Sequence, residues 1–550
     1  MPLKKKAAEM QPTKRNYSRL SSDLKERLKQ NYRLARALPE FLRRRITVEQ
    51  AEEEIKKALE NRTERFLELM QDRVYARPDS PYLKLLKFAG CEFSDLQAEV
   101  HRRGLEATLE KLAAEGVYLT VEEFKGKKEV RRGKESFRVS AKDFEPPAPS
   151  PGFMTQSSGT NNAPVRSIIS LDRIAIQALE VAIFFSAHGL LDRSHAMYDA
   201  ILPAGGGMRN LLINAKLGIT TDRWFARKVP TKTYLGRCYQ YWSTYLIVMM
   251  GKGYGPGFPR PEFIDTGDMG PIVRWVSKKR LQGKSCCIKT AASNAARIAL
   301  AAGKLGLSLA GTKFIVGGEP FTEAKRETIH RAGAAATVHY GFSAGGSVGN
   351  GCADPLYADE VHINQHTFAV ILHPKLLNND GPPIRPLLFT TLLPTDPRLL
   401  LNVENGDYGI LEERDCGCAL QRAGLTRHLR HIRSYEKFTS EGMNYFYGDL
   451  FDTLEKILPA EFGGGPGDYQ LLEEEDERGQ TRLTLRVHPD VANLDEGVLL
   501  RRLEEELAKG SWGHEWQAKI WREAGTFRIK REVPYSSPRG KILPLHISRS

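Results

Sequence analysis

The feature that most limits how this chain can fold lies in its middle third. Phe314-Ile315-Val316 is a short apolar run that ends at Gly317-Gly318-Glu319-Pro320, and a helical stretch follows from Thr322 to about Ala332. A second run, Ala336-Thr337-Val338-His339-Tyr340, stops at Gly341. Two strands joined through a helix cannot form a tight hairpin, and the crossover makes them parallel partners. From 165 to about 400 the same alternation of β-rich and helical runs recurs. It predicts an α/β fold, a large domain of mixed sheets with flanking helices over residues 76–433.

The two ends read differently. Apolar residues recur at helical intervals through Leu24, Leu28, Tyr32 and Ala35, then through Ile55, Leu59, Phe66 and Leu69, so residues 1–75 read as a helical arm. Beyond 433, Tyr469-Gln470-Leu471-Leu472 and Arg482 to Val487 flank an acidic turn, as a hairpin does. A helix from about Glu496 to Lys509 and short strands near Phe527-Arg528-Ile529 and Ile542-Leu543 complete a small α+β domain, 434–550. With 550 residues, more than one core is expected.

Charge is uneven. Residues 1–45 hold 14 Lys/Arg against 4 Asp/Glu, which is +10 of the chain's +14. The body is therefore nearly neutral, and the arm reads as a solvated basic helix. Without interleaved aromatics or a nucleic-acid motif, nucleic acid is not the expected partner. No stretch approaches the roughly 20 apolar residues of a membrane span. The start, Met1-Pro2-Leu3-Lys4-Lys5-Lys6, has no apolar core behind its charges, so a cytoplasmic protein is expected.

Seven cysteines, an odd number, argue against a disulfide framework. Cys352, His362 and the pair Cys416-Gly417-Cys418 form a complete Cys₃His set, the shell of a structural zinc. Spacing alone equally allows a small buried cysteine and a strand histidine. Cys286-Cys287 sits in an apolar run and reads as core. Ser157-Ser158-Gly159-Thr160-Asn161-Asn162-Ala163, after a Pro-rich spacer, is dense in hydroxyls and backbone N–H groups. Such a loop is either an ordinary turn or a cradle for a polyphosphate.

The order of motifs goes further than any one of them. The hydroxyl-rich loop is followed by Gly317-Gly318-Glu319-Pro320, Tyr340-Gly341-Phe342-Ser343, Asn405-Gly406-Asp407-Tyr408-Gly409, Arg433 and Pro538-Arg539-Gly540-Lys541. Over roughly residues 60–550 this series resembles the adenylate-forming ligases, nearest the phenylacetate–CoA ligase and luciferase acyl-protein synthetase types. The resemblance implies that ATP and a carboxylic acid give an acyl-adenylate and pyrophosphate. A thiol (CoA or a carrier protein) or an amine then takes the acyl group. It also implies Mg²⁺, and it strengthens the zinc reading, because members of that branch carry the same Cys/His set.

The roles carried over are specific. Ser157, Ser158, Gly159 and Thr160 would hold the β- and γ-phosphates. The Gly317-Gly318-Glu319-Pro320 turn would let backbone approach the adenine. Tyr340 would stack on the base with Gly341 beside it in the nucleotide site, Ser343 would face the α-phosphate, and Asp407 would accept the ribose hydroxyls with Arg433 beside it. Lys541 would offset charge during attack, on a mobile C-terminal lid that pivots near Glu436. The aromatic residues Phe184, Phe185, Tyr239, Tyr241 and Trp242 suggest an aromatic or medium apolar acid. A homodimer would fit such a protein. Acyl transfer to a partner protein and a non-catalytic nucleotide- or acyl-binding scaffold are the competing readings.

Three positions depart from the family pattern. Ala344 stands where a magnesium-holding Glu is usual, with Asp354 as a conceivable substitute. Asn162 and Ala163 replace a Gly and a Lys of the phosphate loop. Tyr435-Glu436-Lys437 keeps only part of the usual acidic pair at the hinge.

Overall fold

The computed structural model describes residues 14–146, 150–156, 166–202, 204–226, 234–265, 268–342, 344–374, 385–435, 437–440, 443–446, 453–465, 468–492, 494–509, 512–535 and 545–547. The phosphate-loop candidates Ser157, Ser158, Gly159 and Thr160, together with Ser343, Glu436 and Lys541, lie outside them.

A sheet of 12 strands organises the large unit. Its parallel part runs, in spatial order, Ala335–Phe342, Thr312–Gly317, Cys286–Ala291, Ser194–Tyr198, Thr221–Ala226 and Pro261–Phe263. Its antiparallel part continues from Ala335–Phe342 through Gly346–Gly351, Val361–Ile363, Arg427–Ser434, Val403–Glu413, Pro386–Thr391 and Phe368–Leu372. The α/β expectation is met, with 312–317 and 335–342 parallel neighbours as the alternation required.

The parallel strands bury side chains on both faces because helices cover both. Phe314 and Val316 enter one core, with the helices Gly270–Leu281 and Ala292–Lys304, whereas Ile315 enters the other. That second core lies under the helices Leu171–Ala187 and Gly206–Lys216. Helix starts are marked locally. Ser170 Oγ accepts from Arg173 N, and Thr47 and Gln50 form a reciprocal capping box.

From about Gln30 onward the N-terminal arm is not a solvated helix. Leu34, Leu38, Phe41 and Leu42 are buried in the second core, Ile55 joins them, and Phe66 and Met70 join the first. Gln30 donates to the carbonyls of Ser150 and Gly152, tying the arm to the strand Gly152–Gln156. That strand pairs with Arg166–Ser170, so the two segments flanking the hydroxyl-rich loop are held side by side.

The C-terminal unit has its own core and a four-stranded sheet, ordered Phe527–Arg531, Thr481–Val487, Tyr469–Glu475, Leu545–Ile547. The expected hairpin is there, with Tyr469 opposite Val487, and the helix spans Glu496–Ala508. The unit docks on the helix Glu323–Arg331. Buried Lys325 donates to Thr481 Oγ1 at 3.2 Å and pairs with Glu475 at 3.2 Å, while Arg297 reaches the carbonyl of Ala524 at 2.7 Å. Among the described residues no helix is long and apolar enough to cross a membrane.

Candidate functional site

In an open parallel sheet, ligands bind outside the carboxyl ends of the strands. Here that edge carries Gly317 to Pro320, Tyr340 and Gly341. Gly317 is fixed by packing, because a Cβ there would lie 2.5 Å from the carbonyl oxygen of His339. A Cβ on Gly341 would lie 2.3 Å from the carbonyl oxygen of Gly346 across the hairpin. Glu319 is tied down behind this turn. Its carboxylate accepts from Ser293 N at 2.8 Å and Ser293 Oγ at 2.6 Å, capping the helix Ala292–Lys304. The side chain is therefore a strut, and the backbone of the turn is what a ligand would meet.

Tyr340 and Asp407 stand four strands apart in the sheet order, about 19 Å in a flat sheet at 4.8 Å per strand. Their side chains nevertheless meet, with Tyr340 OH donating to Asp407 Oδ2 at 2.9 Å. The sheet must curl over to allow this, as twisted sheets do. Asn405 Nδ2 donates to the same Oδ2 at 2.8 Å and to Tyr340 OH at 2.9 Å, and Ser434 Oγ donates to Asp407 Oδ1 at 2.7 Å. The carboxylate is buried, and these three donors are neutral groups. Burial, with Asp407 next to it, pushes the Tyr340 phenol well above its ordinary range and keeps it a donor.

Arg433 lies beside this group, since Asp407 pairs with Ser434 across the strands. Its guanidinium is engaged, with Nη1 2.8 Å from Asp359 Oδ2; that carboxylate also accepts from the backbone N–H groups of His431 and Ile432. Arg433 is thus oriented before any ligand arrives.

Two expectations need correction. Asp354 does not stand in for the missing Glu at 344. The strand Gly346–Gly351 separates the two positions, and the Asp354 carbonyl accepts from Arg414 at the far end of the hairpin. Ala344 instead packs its methyl against the first core. Position 344 therefore offers no side-chain ligand for Mg²⁺. Among the described aromatic candidates, Phe184 and Phe185 do not line a pocket with Trp242. Phe184 and Phe185 are core residues packed on His188 and His195, whereas Trp242 is 51 % exposed.

The Cys/His set does converge. The ligand atoms of Cys352, His362, Cys416 and Cys418 all lie within 4.8 Å of one another. His362 Nε2 is 3.2 Å from Cys418 Sγ and 3.6 Å from Cys416 Sγ. A tetrahedral zinc site has S···S and S···N separations of about 3.8 and 3.5 Å, so the donors fit that ion. His362 Nδ1 is 2.6 Å from the carbonyl oxygen of Leu425, which places the proton there and leaves Nε2 as the ligand. Cys352 also lies near Glu360 and His428. That second group already has its cation, because Arg414 Nη2 contacts Cys352 Sγ at 3.3 Å and Glu360 at 2.7 Å.

Cys286 and Cys287 are core, as read from sequence. Burial pushes their thiols up to about 11 and 12. Buried protonated thiols are poor carriers of an acyl group.

A set of charges that the sequence reading missed also lies at the carboxyl edge. Arg209 and Lys289 are half-buried there, near Asp199 and His339. A lone lysine inside the apolar run Cys286 to Ala291 was the available signal.

No protein-family model matches the chain, and no curated protein does. Among solved structures it is similar to 2-hydroxyisobutyryl-CoA ligase in complex with 2-HIB-AMP and CoA (14% identity, 92% of this chain and 91% of that one, TM-score 0.49). It is also similar to McyG A-PCP complexed with phenylalanyl-adenylate (12% identity, 80% and 73% covered, TM-score 0.32). A third is an acyl-CoA synthetase (AMP-forming)/AMP-acid ligase II-like protein from Dyadobacter fermentans DSM 18053 (12% identity, 72% and 87% covered, TM-score 0.28).

Proposed function

We propose that this protein activates a carboxylic acid with ATP through an acyl-adenylate and passes the acyl group to a thiol, of CoA or a carrier protein, or to an amine. The meeting of Tyr340 with Asp407 beside the Gly317–Pro320 turn carries the reading. It unites three motifs of the resemblance at the edge where such sheets bind ligands. The nearest branch remains the phenylacetate–CoA ligase type, with residues 76–433 as the adenylating domain and 434–550 as its lid.

In this reading the ribose hydroxyls donate to Asp407 in place of Tyr340 OH and Ser434 Oγ, and the freed Tyr340 ring lies against the base. Backbone of Gly317 and Gly318 borders the adenine. Ser157, Ser158, Gly159 and Thr160 hold the outer phosphates, and Ser343 faces the α-phosphate. A carboxylate oxygen then attacks the α-phosphorus and pyrophosphate leaves. Lys541, brought in by the lid pivoting near Glu436, offsets the charge that builds on both groups. Little covalent work falls to the protein, so positioning dominates.

The Cys352–His362–Cys416–Cys418 cluster would hold zinc as a structural ion. Its four ligands are all protein side chains, which leaves no open position for substrate.

The test is ATP–pyrophosphate exchange over a panel of acids. Exchange that depends on one class of acid and falls at least about 100-fold in Lys541→Ala supports adenylation, that being the usual scale for losing one preorganised charge stabiliser. Acid-independent ATP hydrolysis, or exchange unchanged in the variant, contradicts it.

A further inference from the structure

Lys325 is 1 % exposed, and its ammonium has three acceptors for its three hydrogens. One is the carbonyl of Pro320, at 3.0 Å in the large unit. The others are Thr481 Oγ1 and Glu475 Oε2, each at 3.2 Å in the C-terminal unit. A buried ammonium with two of its three partners across the boundary is satisfied only while the units are docked.

The surfaces around it are shaped for that contact. Glu475 also accepts from Thr322 Oγ1 at 2.5 Å, which sets a carboxylate at the start of the helix Glu323–Arg331, where the helix dipole favours it. Gly479, at φ +69°, lies flat on that first turn, since a Cβ there would stand 2.7 Å from the backbone nitrogen of Lys325. Asp476 Oδ1 fixes the hairpin tip by accepting from Arg478 N at 3.1 Å and Gln480 N at 2.9 Å. Thr328 Oγ1 donates to the Arg478 carbonyl at 3.0 Å, and Arg297 Nε to Gln480 Oε1 at 3.0 Å. Docking at this helix is thus made of hydrogen bonds and an ion pair, the kind of inter-domain surface that can part and re-form.

We infer that Lys325 is a positioning residue that couples the seat of the C-terminal unit to the nucleotide site. The link is the Pro320 carbonyl, the end of the turn whose backbone would border the adenine. This rests on the adenylation reading above. A nucleotide that orders the turn fixes the acceptor Lys325 holds, and so favours the docked pose. By linkage, docking raises nucleotide affinity by the same factor. Lys325 itself touches no reacting atom.

The experiment follows amide hydrogen exchange at residues 476–480 in the full chain, alone, with AMP and with MgATP, and measures the affinity of each nucleotide by calorimetry. It uses wild type, Lys325→Met, the charge-keeping Lys325→Arg, and Gly479→Ala, which blocks the seat without touching the lysine. Exchange at residues 483–485 reports whether the C-terminal core stays folded. In wild type, nucleotide should slow exchange at the tip. In Lys325→Met the tip should exchange about 10-fold faster, as for lost charge-assisted hydrogen bonds, and nucleotide should no longer slow it. Nucleotide should also bind this variant more weakly, by the factor by which it slows tip exchange in wild type. Lys325→Arg should recover part of each effect, and Gly479→Ala should match Lys325→Met.

Tip exchange that Lys325→Met leaves unchanged overturns the inference. So does faster tip exchange with wild-type nucleotide affinity, which would make Lys325 an interface residue without coupling. Weaker nucleotide binding with unchanged tip exchange overturns it too, since the effect would then lie in the turn alone. If residues 483–485 also exchange faster in Lys325→Met, Gly479→Ala decides by the same criteria. Nucleotide that binds wild type without slowing the tip sinks the coupling and leaves the adenylation reading standing, whereas no nucleotide binding sinks both.

Discussion

Stripping the metal from the Cys352–His362–Cys416–Cys418 cluster, or replacing Cys418 by Ser, is expected to lower the unfolding midpoint by about 5–10 °C. The four donors come from three places. Cys352 follows one strand, His362 lies in the next, and Cys416 and Cys418 sit in the loop between Val403–Glu413 and Arg427–Ser434. One ion therefore fastens the loop to the middle of the antiparallel sheet. Without it, Cys352 and the fully buried His362 Nε2 face thiols in a dry site.

Zinc contributes about 10–16 kcal/mol in peptides that have no other core. Here the large sheet persists without the ion, so a loss of about 2–3 kcal/mol is the reasonable scale, at about 2–4 °C for each kcal/mol in a large domain. Elemental analysis should find about one zinc per chain in the wild type, consistent with a closed four-ligand shell. Calorimetry of metal-free protein with an unchanged midpoint would show that the cluster is only a group of buried thiols.

Replacing Asp407 by Ala is expected to weaken ATP binding about 100-fold, the effect of losing two hydrogen bonds to a charged acceptor. Asp407→Asn keeps the shape and loses the charge, so about tenfold is expected. The diagnostic measurement uses ribose-modified nucleotides. Wild type should bind 2′- and 3′-deoxy-ATP more weakly than ATP, whereas Asp407→Ala should bind all three alike. Tyr340→Phe serves as the control for packing, because it removes only the phenol that holds Oδ2 in the free protein. Deoxy-nucleotides discriminated equally well by wild type and Asp407→Ala would remove Asp407 from the ribose site.

The α/β alternation was legible because it is local. Strand 312–317, helix 323–331 and strand 335–342 each announce themselves through period, cap and glycine. The C-terminal hairpin was legible for the same reason, whereas spacing left the Cys/His set open between a metal shell and buried residues, and only the resemblance favoured the shell. What escaped depends on the chain meeting itself at long range. Nothing local says that the sheet curls enough to join Tyr340 to Asp407, or that Arg433 finds Asp359. Asp354 was misplaced because sequence nearness to Ala344 ignores the strand that separates them. Phe184 and Phe185 suggested a pocket, yet the helix Leu171–Ala187 is buried so fully that its aromatics serve the core. Lys289 went unread because a charge in a strand usually faces water, and only the paired neighbours Met197 and Ile315 reveal its direction.

The most direct test of the account uses a substrate acid labelled with ¹⁸O in its carboxylate, the label in AMP being read by mass spectrometry after a single turnover. Attack on the α-phosphorus forms a carboxylate-oxygen-to-phosphorus bond, and later cleavage at the carbonyl carbon leaves that oxygen on the nucleotide. The account predicts one carboxylate-derived oxygen in each AMP, with pyrophosphate released in equal amount. AMP without the label, or label recovered in inorganic phosphate beside ADP, would contradict it.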